Sequence, residues 1–417
     1  MIRHLLRLVW NRRRANALIA LELLLSFLVL AAVVTMAVYL LDNYRQPLGF
    51  VYEDVWSVRI AMNVIDAPGG EVLPENAPAR RAVRLNTLAR LVRDMPDVLS
   101  VSLVNDAPYS RSSWGSSVAV GGRAYDFSAN RASDDFDETM RLTVTRGRWF
   151  DASDDGAAWE PVVLNERLAT EIFGGQDPVG RTIQPDPPKI GDRRQQPTMR
   201  VVGVIRDFRK DGEFSPAASW MFYRSTVGST TTAPAIGPGV PRYLVVRARP
   251  GTAAAFEASL VERLNSNAPD MSFQARPLIL ARATMLRGDL PILAAYALVA
   301  AFLLAMVVLG LTGVLWLNVT QRTREIGLRR AKGATIPDIR HQVLGEVLLL
   351  ATVAVAAGIV IVAQFPLLDL VATISPGVYA TGLLISVACI YFLSIACAWV
   401  PSRLATSVPP AEALRYE

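Results

Sequence analysis

Residues able to do chemistry are few and badly placed for it. The two histidines are His4 and His341 and the two cysteines Cys389 and Cys397, and all four lie outside the long polar stretch Asp42 to Asp289. That stretch therefore holds no histidine triad, no imidazole or thiolate metal site and no disulfide. Its acids cluster in "SDDFDE" (Ser133 to Glu138) and "DASDD" (Asp151 to Asp155), which could be read as calcium ligands. Their spacing fails the D-x-[DN]-x-[DN]-G loop, and they read as solvated surface. No G-x-x-x-x-G-K-[ST] segment occurs, so this chain does not bind and split ATP in the P-loop manner. Two acids stand apart, Glu22 and Glu346, because they fall within or beside apolar runs where a charge is costly and functional by default.

Those runs set the architecture. Of the 417 residues, 52% are apolar, and four windows are long and uncharged enough to cross roughly 30 Å of hydrocarbon as helices. They are 15–41 (uncharged from Leu23 to Leu41), 290–317, 343–365 and 378–400. The first follows an Arg-rich tail as a signal peptide would, but its core is too long and "YLLDNY" lacks the small residues of a cleavage site, so it reads as an uncleaved span. Glu22 then sits about two turns into the first span, or at headgroup level if the helix enters lower. Glu346, in the first turn of the third span, reads as interfacial rather than as a proton relay. Ala351, Ala354, Ala357 and Gly358 of the third span would let a neighbouring helix approach closely.

Lys and Arg give the orientation. The tail 1–14 carries five Arg, the loop 318–342 carries six Lys or Arg, the tail 401–417 carries two, and the link 366–377 carries none. Both termini and the 318–342 loop are expected on the cytoplasmic side, with 42–289 and the short link 366–377 outside. Trp10, Trp316 and Trp399 at the inner ends and Tyr39, Tyr296 and Tyr379 at the outer ends fit interfacial belts. The net charge of +6 does not signal nucleic acid, because 42–289 balances 30 Lys or Arg against 30 Asp or Glu and the surplus lies on the inner segments.

The outer stretch reads as an α+β domain. Strand patterns occur at Val55–Ala61, Val98–Val104, Ser116–Val120, Leu142–Thr145, Pro161–Leu164, Met199–Ile205, Trp220–Tyr223, Tyr243–Ala248 and Met271–Ala275, with helical patterns at Ala79–Met95, Glu166–Phe173 and Thr252–Asn267. A strand-helix-strand unit ending in "MPDVLSVSL" is echoed by one ending in "APDMSFQAR". This predicts a split βαβ part with a second subdomain inserted. The Gly, Pro, Ser and Thr-rich stretches Ile183–Pro197 and Ser225–Pro241 read as loops.

On the inner side of the membrane, "TREIGLRRAKGAT" (Thr323 to Thr335) connects the second and third spans. Glu325 and Arg329 pair at i,i+4, basic Arg329, Arg330 and Lys332 suit a helix C-terminus, and Gly333 suits C′. Thr335 then caps the next helix with Asp338 at N3. In the tail 1–14, Ile2, Leu5, Leu6 and Val9 share a face opposite Arg3, Arg7 and Arg12 to Arg14, as in an interfacial amphipathic helix.

These residues resemble a known family, the FtsX-like permeases of ABC transporters, including the permease part of the MacB exporters. The match runs through Arg324, Glu325, Ile326, Gly327, Arg329, Arg330, Ala331, Gly333 and Ala334. Pro401, Ala405, Pro409, Ala413, Leu414 and Arg415 of the C-terminal tail are also in register, as are Gly147, Arg148, Phe150, Asn165, Ala169, Phe173, Pro178, Gly180 and Gly203 of "RGRWF", "VVLNERLATEIFG", "DPVG" and "VVGVIRDF". The resemblance implies that Arg324 to Gly333 forms a coupling helix docking on separate ABC ATPase subunits, which bind the ATP and Mg while this chain holds no cofactor. It also implies a second permease copy or a homologous permease as partner, a bilayer setting, and motion transmitted outward to act on drug, peptide or lipoprotein-like cargo, with or without a periplasmic adaptor. The rival reading is a membrane-anchored receptor or scaffold whose outer domain binds a ligand or cell-wall enzyme without transport. An ion conductor would need several charges along a pore, and only Glu22 and Glu346 are available.

Overall fold

The computed structural model describes residues 13–62, 77–186, 198–225, 241–252, 255–321, 328, 335–368 and 374–407. The chain separates into two compact units, one made of 1–42 with 290–417 and the other of 43–289.

Chain order begins with α1 (Arg13–Arg45), which leads into the second unit. There follow β1 (Val55–Met62), α2 (Ala77–Arg93), β2 (Val98–Val104), β3 (Trp114–Val120), β4 (Arg123–Ala132), α3 (Phe136–Met140) and β5 (Val144–Gly147). Next come β6 (Glu160–Asn165), α4 (Glu166–Phe173), β7 (Thr182–Ile183), β8 (Met199–Ile205), β9 (Trp220–Arg224), β10 (Tyr243–Ala248), α5 (Ala255–Asn267) and β11 (Met271–Pro277). Together the strands form one mixed sheet in the order β11-β1-β10-β2-β4-β9-β6-β8-β5, with β3 on β4 and β7 on β8.

Half of that sheet is the split βαβ frame. Strands β1 and β2 flank β10, and β10 pairs antiparallel with both, while β11 pairs antiparallel with the outer side of β1. Helices α2 and α5 cover this half, Leu85, Leu88 and Val92 of one and Phe256, Leu260 and Leu264 of the other burying against Val58, Val101 and Val246. The i, i+4 spacing of those helix residues is what an amphipathic helix needs to cover a sheet face.

The other half is the insertion, β3 through β9, which leaves after β2 and returns before β10. Its strands β6 and β9 are buried along nearly their whole length, as expected for strands covered on both faces. Aromatic rings fill its core: Phe136, Trp149, Phe208, Trp220 and Phe222 pack at centroid distances from 5.2 to 6.3 Å. Strand β4 has no counterpart in the sequence reading. Its "RAYDFSANRA" looks polar, yet Asn130 and Arg131 are buried because Asn130 hydrogen-bonds the backbone of Asp106 in both directions and Arg131 bonds the Arg224 carbonyl and the Glu160 carboxylate.

The acid clusters stay at the surface except for buried Asp154, and several of their carboxylates are engaged in ion pairs. Asp134 and Asp155 both grip Arg224, each at 2.7 Å, and Asp154 is buried against Arg148 at 2.6 Å. These carboxylates hold Arg224 and Arg148 more firmly protonated than usual, chiefly through the hydrogen bonds that Arg224 donates to Asp134 and Arg148 donates to Asp154. Among the described residues no group of His, Cys, Asp and Glu could hold a metal ion.

The remaining unit is helical. It comprises α1, then α6 (Leu278–Gln321), α7 (Ile336–Val362), the short α8 (Gln364–Leu367) and α9 (Pro376–Ser407). Four stretches are long and apolar enough to span a bilayer: Ala17–Arg45, Leu278–Gly313, Ile336–Leu367 and Pro376–Trp399. Helix α6 starts well before the expected Leu290 and carries Pro291 inside it; the charges Arg282, Arg287 and Asp289 hide its first turns from an apolarity reading.

Candidate functional site

The coupling-segment residues Arg324, Glu325, Ile326, Gly327, Arg329, Arg330 and Gly333 lie outside the described residues, as do the tail residues 1–12 and nearly all of the two loop stretches around 187–197 and 226–240. Immediately after the segment, α7 begins as its sequence dictates. Thr335 is the N-cap, Pro337 sits in the first turn, and the Asp338 carboxylate accepts from the Thr335 backbone N–H at 3.1 Å. The capping box satisfies N–H groups that the first turn of α7 would otherwise leave without partners.

Within the helical unit, α1 is seated against each of the other three spans at a glycine. A Cβ on Gly310 of α6 would lie 2.0 Å from Glu22 Oε1, one on Gly358 of α7 would lie 2.3 Å from the Phe27 ring, and one on Gly382 of α9 would lie 2.5 Å from Thr35 Oγ1. Only glycine allows these approaches. The buried stripe Ile19, Leu23, Phe27, Leu30 and Ala31 follows helical spacing and meets Leu311, Ala351, Val355 and Ile390. Polar cross-links are sparse: Thr352 Oγ1 with the Tyr391 hydroxyl at 2.9 Å, Tyr379 to the Val362 carbonyl at 2.5 Å, and Ser386 to the Leu30 carbonyl at 3.4 Å. Glu346 accepts from Gln342 at 3.2 Å, one turn earlier on the same helix.

In the 43–289 unit, a polar tie forms where α1 ends and α6 begins. The loop after β8, Arg206 to Ser215, buries Arg209, Lys210 and Glu213. Arg209 donates to the carbonyls of Asn43 (2.6 Å) and Gln46 (3.1 Å) on one side, and of Glu213 (2.6 Å) and Ser215 (3.2 Å, from Nε) on the other. Glu213 pairs through its carboxylate with Arg282 of α6, whose guanidinium also covers the Tyr52 ring at 4.8 Å. Burial, and then the Glu213 charge, push the Tyr109 hydroxyl far above the ordinary tyrosine range. One ten-residue loop thus grips both chain segments that enter and leave the unit. Sequence reasoning passed over Arg209, Glu213 and Arg282; a dense run of charge after a buried strand was the only signal, and it reads equally as a solvated loop.

Comparison with known proteins settles the family. The MacB-like periplasmic core domain matches residues 17–263, and the FtsX-like permease C-terminal domain matches residues 297–410. This chain belongs to the MacB-type FtsX-like permease family. Relatives of this permease include the macrolide export ATP-binding/permease protein MacB of Bordetella avium, 26% identical over 66% of this chain and 41% of that protein. MacB of Escherichia coli K12 is 25% identical over 99% of this chain and 60% of its own length. The pyoverdine export ATP-binding/permease protein PvdT of Pseudomonas aeruginosa PAO1 is 23% identical over 67% of this chain and 41% of its own. The permease therefore spans 41% to 60% of the length of these curated relatives. Among solved structures, the periplasmic region of MacB from Actinobacillus actinomycetemcomitans is 15% identical, covering 58% of this chain and 97% of that one with a TM-score of 0.38.

Proposed function

We propose that this chain is the permease subunit of a bacterial ABC exporter, working by mechanotransmission with a separate ATPase subunit and a second permease copy or homologue. The observation that carries the reading is the FtsX-like match across 297–410, which encloses "REIGLRRAKGA" between two spans. In this reading both termini and residues 318–342 are cytoplasmic, and 42–289 is periplasmic. The segment 324–333 docks on the ATPase, which binds ATP and Mg.

Closure of the ATPases displaces that segment, and the capped start of α7 transmits the displacement to the spans. The outer domain follows because the Arg206 to Ser215 loop holds the end of α1 and the start of α6 together. Cargo is a drug, peptide or lipoprotein-like molecule handled on the outer side, in keeping with the export functions named for the relatives.

The test is the double variant Glu325→Ala with Arg330→Ala in the native host. Transport should fall to background while the protein still inserts and its outer domain stays folded, and ATPase turnover should lose its response to cargo. Full transport by the double variant would refute the coupling role. Purification of the wild-type chain with no ATPase attached would favour a receptor or scaffold instead.

A further inference from the structure

Between α1 and α6 the helical unit has a cleft of about 320 Å³. That is the lower end of the roughly 300–1,000 Å³ of ligand pockets, too small for a macrocycle. Its walls are apolar: Leu25, Val29 and Val33 of α1 face Ala300, Leu304 and Val307 of α6. At one end stand Glu22 and Ser26, with Gly310 directly opposite.

The Ser26 hydroxyl is occupied, donating to the Glu22 carbonyl at 2.5 Å. The Glu22 carboxylate, in contrast, has no hydrogen-bond or ion-pair partner among the described residues. Glu22 lies nine residues, about 13 Å of rise, inside the described length of α1, and Gly310 eleven, about 16 Å, inside that of α6. Neither is a terminal residue of its helix. A carboxylate so placed costs several kcal/mol in hydrocarbon unless a cation or donor meets it.

We propose that this cleft binds a single-chain cationic amphiphile from the bilayer, its ammonium on Glu22 and its tail along the Leu25–Val33 wall. The wall rises about 16 Å from Glu22 to Val33, the reach of a dodecyl tail. Gly310 leaves room for the Glu22 carboxylate where it stands: a Cβ there would lie 2.0 Å from Oε1 and turn the side chain aside. A neutral lipid tail would fit the walls equally well but would leave the acid unmet, which is why charge decides between them.

The test uses the full chain in phosphatidylcholine nanodiscs with no ATPase added, so that its outcome bears on the cleft alone. Dodecylamine carrying a chain diazirine is compared with the matching dodecanol, and labelled peptides are identified by mass. The amine should label 25–33 and 300–307 well above the alcohol, and Glu22→Gln should cut amine labelling about tenfold, the scale of a lost charged hydrogen bond, with alcohol labelling unchanged. Leu25→Trp, which fills the groove and spares Glu22, should abolish both. Equal labelling by amine and alcohol, or an unchanged Glu22→Gln, would overturn the proposal in favour of an ordinary lipid groove. Absence of both labels, with Val29→Cys cross-linking between two copies, would overturn it in favour of a protein-filled interface.

Discussion

Replacing Arg209 by Met tests whether the loop after β8 is what secures the ends of α1 and α6 in the outer domain. The substitution keeps most of the volume and removes every donor. Two of the stranded carbonyls, Asn43 and Glu213, accept buried bonds, and those of Gln46 and Ser215 accept partly buried ones. A buried acceptor left without its donor costs about 1–3 kcal/mol, so the two buried ones together cost about 2–6. Water reaches the other two, and relaxation trims the total to about 3–4 kcal/mol.

Because each 1.4 kcal/mol is tenfold, amide exchange at 43–48 and 206–216 should accelerate by about two to three orders of magnitude. The strands β6 and β9 should keep their protection. Hydrogen exchange of the full chain, read by mass, makes the measurement. Arg209→Lys retains the charge but not the planar fork that reaches both sides, and should fall between the two. Exchange in Arg209→Met within a few-fold of wild type at 43–48 would refute the argument that this guanidinium is the tie.

Other substitutions probe other levels of the structure. Gly358→Ala puts a Cβ 2.3 Å from the Phe27 ring, and should lower thermal stability in detergent by about 1–3 kcal/mol; Phe27→Leu in the same chain should recover part of it, and additive losses would count against direct contact. Asn165→Ala removes a buried side chain that caps α4 through Leu168 N (3.1 Å), accepts from Trp220 N (2.9 Å) and donates to the Ala218 carbonyl (2.8 Å), and should destabilise the outer domain by about 2–4 kcal/mol in denaturant unfolding. Gly49→Ala meets a φ of +83° and a Cβ 1.6 Å from the Asp207 carbonyl, and should impair folding more than any of these, seen as loss of membrane-inserted protein.

What the sequence disclosed follows from which forces are local. Apolar length is a local property, so all four spanning helices were legible, and so was the split βαβ frame, because β1, β2, β10 and β11 alternate or run apolar between turn residues. Strand β4 escaped because its burial depends on partners far away in sequence: Asn130 is satisfied by Asp106, and Arg131 by Arg224 and Glu160. The same holds for Asp154 of the second acid cluster, whose burial depends on Arg148 lying beside it. The glycine seats of α1 were half visible. Gly358 was marked as a close-packing residue, but nothing local reveals that Phe27 is what approaches it. The tie through Arg209, Glu213 and Arg282 joins residues separated by up to 166 positions, a distance over which no periodicity speaks.

Val104 and Tyr243 sit directly across from each other in the ladder between β2 and β10. The whole insertion, about half of the outer domain, therefore departs and comes home at a single doorway. Evolution could trade that module for a shorter or unrelated one while β11, β1, β10 and β2 kept their own ladders.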